Sequence, residues 1–323
     1  MKAQLLQQTG SDYQLTLAEV DAPEPGPGEV RIRVRGSSIN PVDYKFAQQG
    51  KDLPLPHILG IDAAGEIDAV GEGVTAFQPG DRVMALTNLY RWGGFAEQVV
   101  VDARVVSRLP DGLDFARAGV LPCAALTAWQ AVHLKLNLQP GQTVLITAAG
   151  GGVGSFAVQM ARRAGARVIA SASRQAQWLR DLGADAVVNR REGDLVAQVL
   201  SATDGRGVDA IIDLVSADSA TALLPLLRHN GAIACVVGRP SSDAMPAWGK
   251  ALSVHDVALG FAWAYGDGDN LRDIARAGES VAQWVADGEI VVTFADHLSL
   301  AAVPQALRAA EEGKTYGKVA IAF

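Results

Sequence analysis

Ala149-x-Gly151-x-x-Gly154 lies within TVLITAAGGGVGSFAVQMARR, residues 143–163. Glycines at this spacing let a backbone approach a pyrophosphate, and the unpaired N–H groups at a helix start face that anion. The flanks suit this chemistry. An apolar, β-branched run, Thr143 to Thr147, precedes the glycine cluster, and Ser155 to Ala164 has helical character. Strand, tight turn and helix form the context in which such a pattern binds a dinucleotide. Gly151, Gly152, Val153 and Gly154 are the expected phosphate contacts, although alanine holds the first glycine place.

The adenosine ribose is met about 20 residues further on, where a carboxylate would take both hydroxyls of NAD. The sequence there reads Ser171-Ala172-Ser173-Arg174-Gln175, with no carboxylate. A hydroxyl beside a guanidinium suits a 2′-phosphate, because arginine donates a bidentate pair to phosphate oxygens. Arg174 is also the type of residue found solvated at a helix start. Arg190, past the next strand, adds a second charge. The expected cofactor is NADP(H) rather than NAD(H).

These residues need a scaffold, and the patterning supplies one. From Thr143 onward strands alternate with helices. The expected strands are Val144–Thr147, Arg167–Ser171, Ala186–Val188, Val208–Leu214 and Ala232–Val237. The helices between them are Val153–Ala164, Arg174–Leu182, Leu195–Ala202 and Ser219–Leu227. One helix per strand makes a parallel, doubly wound sheet, and apolar strands suit burial on both faces. Ligands bind such sheets at the carboxyl ends of the strands, which nominates the backbone of Leu214, Val215, Val237 and Gly238 for the cofactor ribose and carboxamide.

The first part of the chain differs. Short alternating stretches, such as Val30-x-Ile32-x-Val34, are separated by glycine and proline turns, which indicates a barrel-like β domain. Helices are expected at 115–120 and 126–134. After residue 265 come a helix (271–287), a strand (290–294), a helix (300–312) and a final strand (317–323). Residues 254–265 fit either an edge strand or a short helix.

Composition excludes several functions. The chain has 323 residues, 49% apolar and 20% charged, with net charge −7. This suits a globular chain with a substantial core and argues against nucleic acid as the main partner, which needs a basic face. No apolar run approaches the roughly 20 residues that span a bilayer, so no membrane partner is expected. The first residues lack a signal-peptide core, and the two cysteines, Cys123 and Cys235, read as buried free thiols. A cytoplasmic location follows as the expectation. His57, His133, His229, His255 and His297 are scattered without paired spacing, and no metal is expected.

Further motifs carry a family likeness: Asn40-Pro41-Val42-Asp43, Gly60-Ile61-Asp62-Ala63-Ala64-Gly65, Pro79-Gly80-Asp81-Arg82-Val83, Gly93-Gly94-Phe95-Ala96-Glu97, Leu126-Thr127-Ala128-Trp129 and Gly317-Lys318-Val319. With the glycine turn they span almost the whole length. The chain resembles the medium-chain dehydrogenase/reductase superfamily, and within it the zinc-free quinone oxidoreductase (zeta-crystallin-like) branch. The resemblance implies an α/β fold in two domains. A GroES-like β-barrel catalytic domain (1–122 and 266–323) would flank a Rossmann doubly wound parallel-sheet domain (123–265), with substrate and nicotinamide in the cleft. It also implies a homodimer, with 254–265 as a candidate contact.

The zinc-dependent alcohol dehydrogenases of this superfamily use a cysteine near the start of the catalytic region and a Gly-His-Glu motif. Here those places read Asn40-Pro41-Val42-Asp43 and Gly60-Ile61-Asp62, and two cysteines cannot supply the four-cysteine lobe. Without a Lewis acid the better expectation is hydride transfer from NADPH to a small electrophile, a quinone or an α,β-unsaturated carbonyl. The carbonyl oxygen then needs a proton donor within reach. Tyr44 is the candidate donor, with water or the cofactor 2′-hydroxyl as other sources. Asn40 would orient substrate or contact the nicotinamide ribose. The resemblance puts Thr127 near the pyrophosphate or nicotinamide, although its type also suits a helix N-cap. Asp62 reads as a residue ordering a turn, and Lys318 as either cleft-facing or solvated. An NADP-dependent alcohol dehydrogenase and an NADPH-binding protein without turnover are the alternative functions.

Overall fold

The computed structural model describes residues 1–50, 53–174, 176–246, 248–315 and 317–323. Gln175, within the expected ribose stretch, lies outside them. The chain divides into two compact units, Met1–Leu126 with Gly260–Phe323, and Thr127–Leu259.

The second unit holds a six-stranded sheet. Its order is Ala186–Val188, Arg167–Ser171, Thr143–Ile146, Val208–Asp213, Leu227–Cys235 and Ser253–Asp256. Every pairing is parallel. The chain starts in the middle at Thr143–Ile146, builds toward one edge and then toward the other. The direction of winding therefore reverses between Thr143–Ile146 and Val208–Asp213, the point at which doubly wound sheets bind ligands. Leu145, Ile169, Val199, Ile211, Leu223 and Ile233 form the core against which the helices pack.

The first unit is β-rich. A seven-stranded sheet runs in the order Phe294–Ser299, Lys318–Ala322, Glu29–Ile39, Asp62–Val70, Arg82–Leu86 and Val106–Arg108, with Gln98–Asp102 also paired to Glu29–Ile39. The long strand Glu29–Ile39 serves three partners, the first of them Asp62–Val70. Its first half pairs with Gln98–Asp102 and its last residues with Lys318–Ala322, both antiparallel. This last pairing brings the end of the chain beside Asn40. A smaller sheet, Gln14–Glu19, Lys2–Gln8 and His57–Ile58, shares a core with the helix Val303–Glu311.

Several expected elements shift. The strand expected at 290–294 is Phe294–Ser299 instead. The N–H groups of Glu289 and Ile290 both donate to Trp284 O, closing the C-terminus of the helix Gly268–Ala286, so that backbone is not available to a ladder at Ile290. The helix expected at 126–134 is Leu121–Trp129, continuing as a π-helical turn over Gln130–Lys135. Thr127 is therefore inside a helix and is no N-cap. The helix expected at 219–227 starts earlier, at Ala217, because Ser216 caps it by accepting from Ser219 N. Its last residues form a 3-10 turn, and Leu227 already belongs to the next strand, which ends at Cys235 rather than Val237. The stretch 254–265 is both of its alternatives: an edge strand ending at Asp256, then the short helix Ala262–Tyr265.

Candidate cofactor site and the buried Asn40 network

The strand Thr143–Ile146 leads into a turn in which Ala148 takes φ 45°. The left-handed position thus falls on Ala148, and the first glycine place, Ala149, needs no positive φ. This explains why alanine is accepted there. Ala149 N donates to Ser171 O at 3.0 Å, tying the turn to the neighbouring strand end. Gly151 then starts the helix Gly152–Arg163 from an extended conformation. Gly154 cannot be replaced freely: a Cβ there would stand 2.6 Å from Ala148 O and 2.6 Å from Ala149 Cα. The helix start and the turn therefore touch backbone to backbone. Gly151 is the N-cap and its N–H donates to Ala148 O at 3.0 Å, whereas Gly152, Val153 and Gly154 open the first helical turn, where the N–H groups have no intrahelical partner. These residues fit a dinucleotide pyrophosphate.

Ser173 and Arg174 follow the strand Arg167–Ser171, with Ser173 half-buried and Arg174 exposed. Arg190, also exposed, follows Ala186–Val188. Those strands are neighbours in register, Ser171 opposite Val188, and Ala172 N donates to Val188 O at 3.0 Å. The fold thus puts the three expected 2′-phosphate residues at adjacent carboxyl ends. Leu214 and Val215 follow the strand ending at Asp213, Leu214 half-buried and Val215 exposed. Val237 is exposed, and Gly238 sits where a Cβ would meet Ala217 at 3.0 Å. Thr127 is buried on its helix.

In the other unit, Asn40 is the N-cap of the helix Pro41–Gln49. Pro41 fits the first helical position because no N–H is needed there. Asp43 completes a capping box: its carboxylate accepts from Asn40 N at 2.9 Å and also from Ile61 N at 3.1 Å. The Asn40 amide is held on both sides. Nδ2 donates to Asp62 Oδ2 at 2.7 Å, and Oδ1 accepts from Lys318 Nζ at 2.6 Å. Ser38 Oγ donates to the same Asp62 oxygen, and Cys123 N donates to Asp62 Oδ1 at 2.6 Å. Lys318 Nζ lies 3.8 Å from Asp62 Oδ2.

Asn40, Asp43, Asp62 and Lys318 are all buried. Asp62 is thus the centre of a polar network rather than a turn residue, and Lys318 is not solvated. Burial, and then the charge of Asp62, push the Asp43 carboxyl up to about 7. Burial likewise pushes the Cys123 thiol upward.

Tyr44 belongs to different surroundings. It is half-buried against the apolar core that includes Tyr13 and Leu307. Burial and the nearby charge of Glu311 raise its phenol pKa. The structure therefore joins Asn40 to Asp62, Ser38 and Lys318, and packs Tyr44 against a core. Sequence reading missed Ser38 and the role of Lys318. Only the pairing of the last strand with Glu29–Ile39, Val319 opposite Ile39, exposes that role.

Zinc does not fit this network. A tetrahedral zinc site needs thiolate, imidazole or carboxylate ligands in close array. Here an ammonium fills the space beside Asn40 and Asp62, and the only thiol is held protonated by burial. Among the described residues no group of three or more His, Cys, Asp or Glu side chains can hold a metal ion.

Residues 26–111 match the Alcohol dehydrogenase GroES-like domain family, and residues 152–265 match the Zinc-binding dehydrogenase family. The chain is 35% identical over 233 residues to the chloroplastic quinone-oxidoreductase QR1 of Triphysaria versicolor, covering 69% of this chain and 70% of that one. It is 33% identical over 324 residues to the phthioceranic/hydroxyphthioceranic acid synthase of Mycobacterium tuberculosis. That match covers 97% of this chain but 15% of the synthase, so the chain spans only a small part of such relatives. Among solved structures, mycobacterial Rv1454c complexed with NADPH superposes with a TM-score of 0.89 at 27% identity, covering 100% of both chains. An NAD-dependent alcohol dehydrogenase superposes at 0.85 and 30% identity, again over 100% of both. With its two domains, its glycine turn and these relatives, the chain belongs to the medium-chain dehydrogenase/reductase superfamily, oxidoreductases that work with a nicotinamide cofactor.

Proposed function

We propose that this chain is a zinc-independent, NADPH-dependent reductase of quinones or α,β-unsaturated carbonyls. The observation that carries this reading is the Lys318 ammonium against Asn40 and Asp62, at the motifs that resemble the metal-binding region of the zinc enzymes. A fixed positive charge there opposes a metal cation. A reaction without a Lewis acid is best matched to an acceptor that is already electron-poor. The name of the QR1 relative supports the acceptor class. Ser173, Arg174 and Arg190 at adjacent strand ends support NADPH. A shared fold does not choose the cofactor, since one similar structure holds NADPH and another is named NAD-dependent.

NADPH, when bound, supplies the hydride. The chain's own part is to hold and orient. Gly152, Val153 and Gly154 bind the pyrophosphate through backbone N–H groups, and Gly151 lets the backbone approach it closely. Leu214, Val215, Val237 and Gly238 line the strand ends for the nicotinamide half, and Thr127 is proposed near the pyrophosphate or nicotinamide. Asn40, fixed by Lys318 and Asp62, orients substrate or the nicotinamide ribose. Tyr44 is the proposed donor of the proton that neutralises the carbonyl oxygen. A phenol of ordinary pKa, about 10, is protonated at neutral pH, and burial moves Tyr44 further in that direction.

The test is direct. Purified protein is mixed with NADPH and a panel of quinones and enones, and absorbance of the reduced nicotinamide is followed. Loss of absorbance with at least one acceptor, in protein free of stoichiometric zinc, is expected. Tight NADPH binding with no turnover on any acceptor removes the enzyme reading in favour of a binding protein. Activity that tracks zinc content revives the alcohol dehydrogenase.

We also propose a homodimer formed through the edge strand Ser253–Asp256. That strand has one neighbour in its sheet and would otherwise offer an open edge. Sedimentation as a monomer at micromolar concentration would overturn this.

A further inference from the structure

A second buried polar node lies at the point where the winding of the parallel sheet reverses. Asp213, at the end of its strand, is fully buried. Its two oxygens accept four hydrogen bonds. Oδ1 accepts from Thr147 Oγ1 at 3.0 Å and from Ser219 Oγ at 2.7 Å. Oδ2 accepts from Val215 N and Ser216 N, each at 3.2 Å. Thr147 Oγ1 accepts in turn from Leu214 N at 2.9 Å. Thr147 also donates its own N–H to Ile212 O at 3.0 Å.

The consequence is chemical. Thr147 is the entry residue of the glycine turn, and Leu214 to Ser216 form the loop after the neighbouring strand. One hydroxyl and one carboxylate therefore lock these two ligand-facing segments together. They also draw all three loop N–H groups, those of Leu214, Val215 and Ser216, inward. The loop can meet a ligand with carbonyl oxygens but not with these N–H groups. Acceptors of that kind suit hydroxyl and amide donors and are unsuited to phosphate. The glycine turn, by contrast, offers N–H groups. The two segments thus present opposite chemistry to the pyrophosphate and to the nicotinamide half of one ligand.

We infer that Thr147 and Asp213 are positioning residues for the nicotinamide half of the cofactor, holding Leu214 and Val215 so that their carbonyls face ribose hydroxyls or the carboxamide. This rests on the NADPH reading above. Neither residue touches the ligand; each acts through the loop backbone.

Thr147→Val keeps the size of the side chain and removes the hydroxyl, whereas Thr147→Ser keeps the hydroxyl. Dissociation constants are measured for NADPH and for 2′,5′-ADP, which carries the adenine half and the 2′-phosphate but no nicotinamide. Thr147→Val is expected to weaken NADPH about tenfold, the scale of one buried hydrogen bond, and to shift 2′,5′-ADP by less than about twofold. Thr147→Ser should keep both affinities. Equal weakening of the two ligands would reveal a general structural role and overturn the inference, as would unchanged NADPH affinity. If Thr147→Val does not fold, Asp213→Asn, of the same size, carries the same comparison. Wild-type protein that binds NADPH but reduces nothing ends the reductase reading and leaves this comparison intact. Wild-type protein that does not bind NADPH overturns both.

Discussion

Lys318 Nζ donates to Asn40 Oδ1 across 2.6 Å, although 278 positions separate the two residues. The contact exists because the last strand pairs antiparallel with the end of Glu29–Ile39, Val319 opposite Ile39. Lys318 is only 3% exposed, so its charge is held by Asn40, by Ile39 O at 3.3 Å and by Asp62 nearby. Breaking a buried charge network from one side is costly, because the remaining charge has lost its partner.

Lys318→Met should accordingly destabilise the protein by about 3 kcal/mol, read as a lower denaturant midpoint. Combining it with Asp62→Asn should cost less than the sum of the two single changes, because both act on one network. Additive losses would show that Lys318 and Asp62 do not share it.

Asp43 gives the fold a pH dependence of defined sign. Its carboxyl is raised from 3.8 to about 7 by burial and by Asp62. Below about pH 4 it carries its proton in both states. Between there and about 7 the folded chain keeps a proton that the unfolded chain has released, so this contribution to stability is lost as pH rises. Asp43→Asn has no such proton. The unfolding free energy of wild type minus that of Asp43→Asn should fall as pH rises from about 4 to about 7 and then level off. A difference that is constant or rises across this window would refute the assignment.

Arg174→Ala should weaken NADPH by about ten- to a hundredfold, the scale of charge-assisted hydrogen bonds, and leave NADH nearly unchanged. The reason is that only NADPH has the 2′-phosphate. Titration of nicotinamide fluorescence measures both ligands. Equal weakening would put the ribose pocket elsewhere.

Tyr44→Phe tests the proposed proton donor. If the phenol delivers the proton, kcat falls about a hundredfold with little change in KM, because the group acts only as charge develops. An unchanged kcat would assign the proton to water or to a cofactor hydroxyl, and would leave Tyr44 as part of the core in which it packs.

The sequence by itself determined the periodic parts of this protein. Alternating apolar strands and helices after Thr143 specified the parallel sheet, because burial on both faces leaves a pattern within each segment. The glycine turn was legible for the same reason: a backbone requirement, such as the close approach at Gly154, is met by residue type at one position. Ser173 and Arg174 follow the strand Arg167–Ser171 at the distance the fold class dictates for a ribose contact, and their part in cofactor choice is what Arg174→Ala tests.

Element ends were less legible, because they depend on which backbone group wins a hydrogen bond. Trp284 O claims the N–H groups of Glu289 and Ile290, and the expected strand is displaced to Phe294. Tertiary structure alone decided the fate of the buried polar residues. Lys318 and Asp62 have the composition of solvated side chains, and Asp213 that of an ordinary strand end. Their burial is offset by partners far away in the chain, Asn40 for Lys318 and Cys123 N for Asp62, while at Asp213 the distant Thr147 joins the local donors Val215 N, Ser216 N and Ser219 Oγ. Hydrogen-bond partners brought together by sheet pairing leave no periodicity in sequence, so the pairing itself had to be seen.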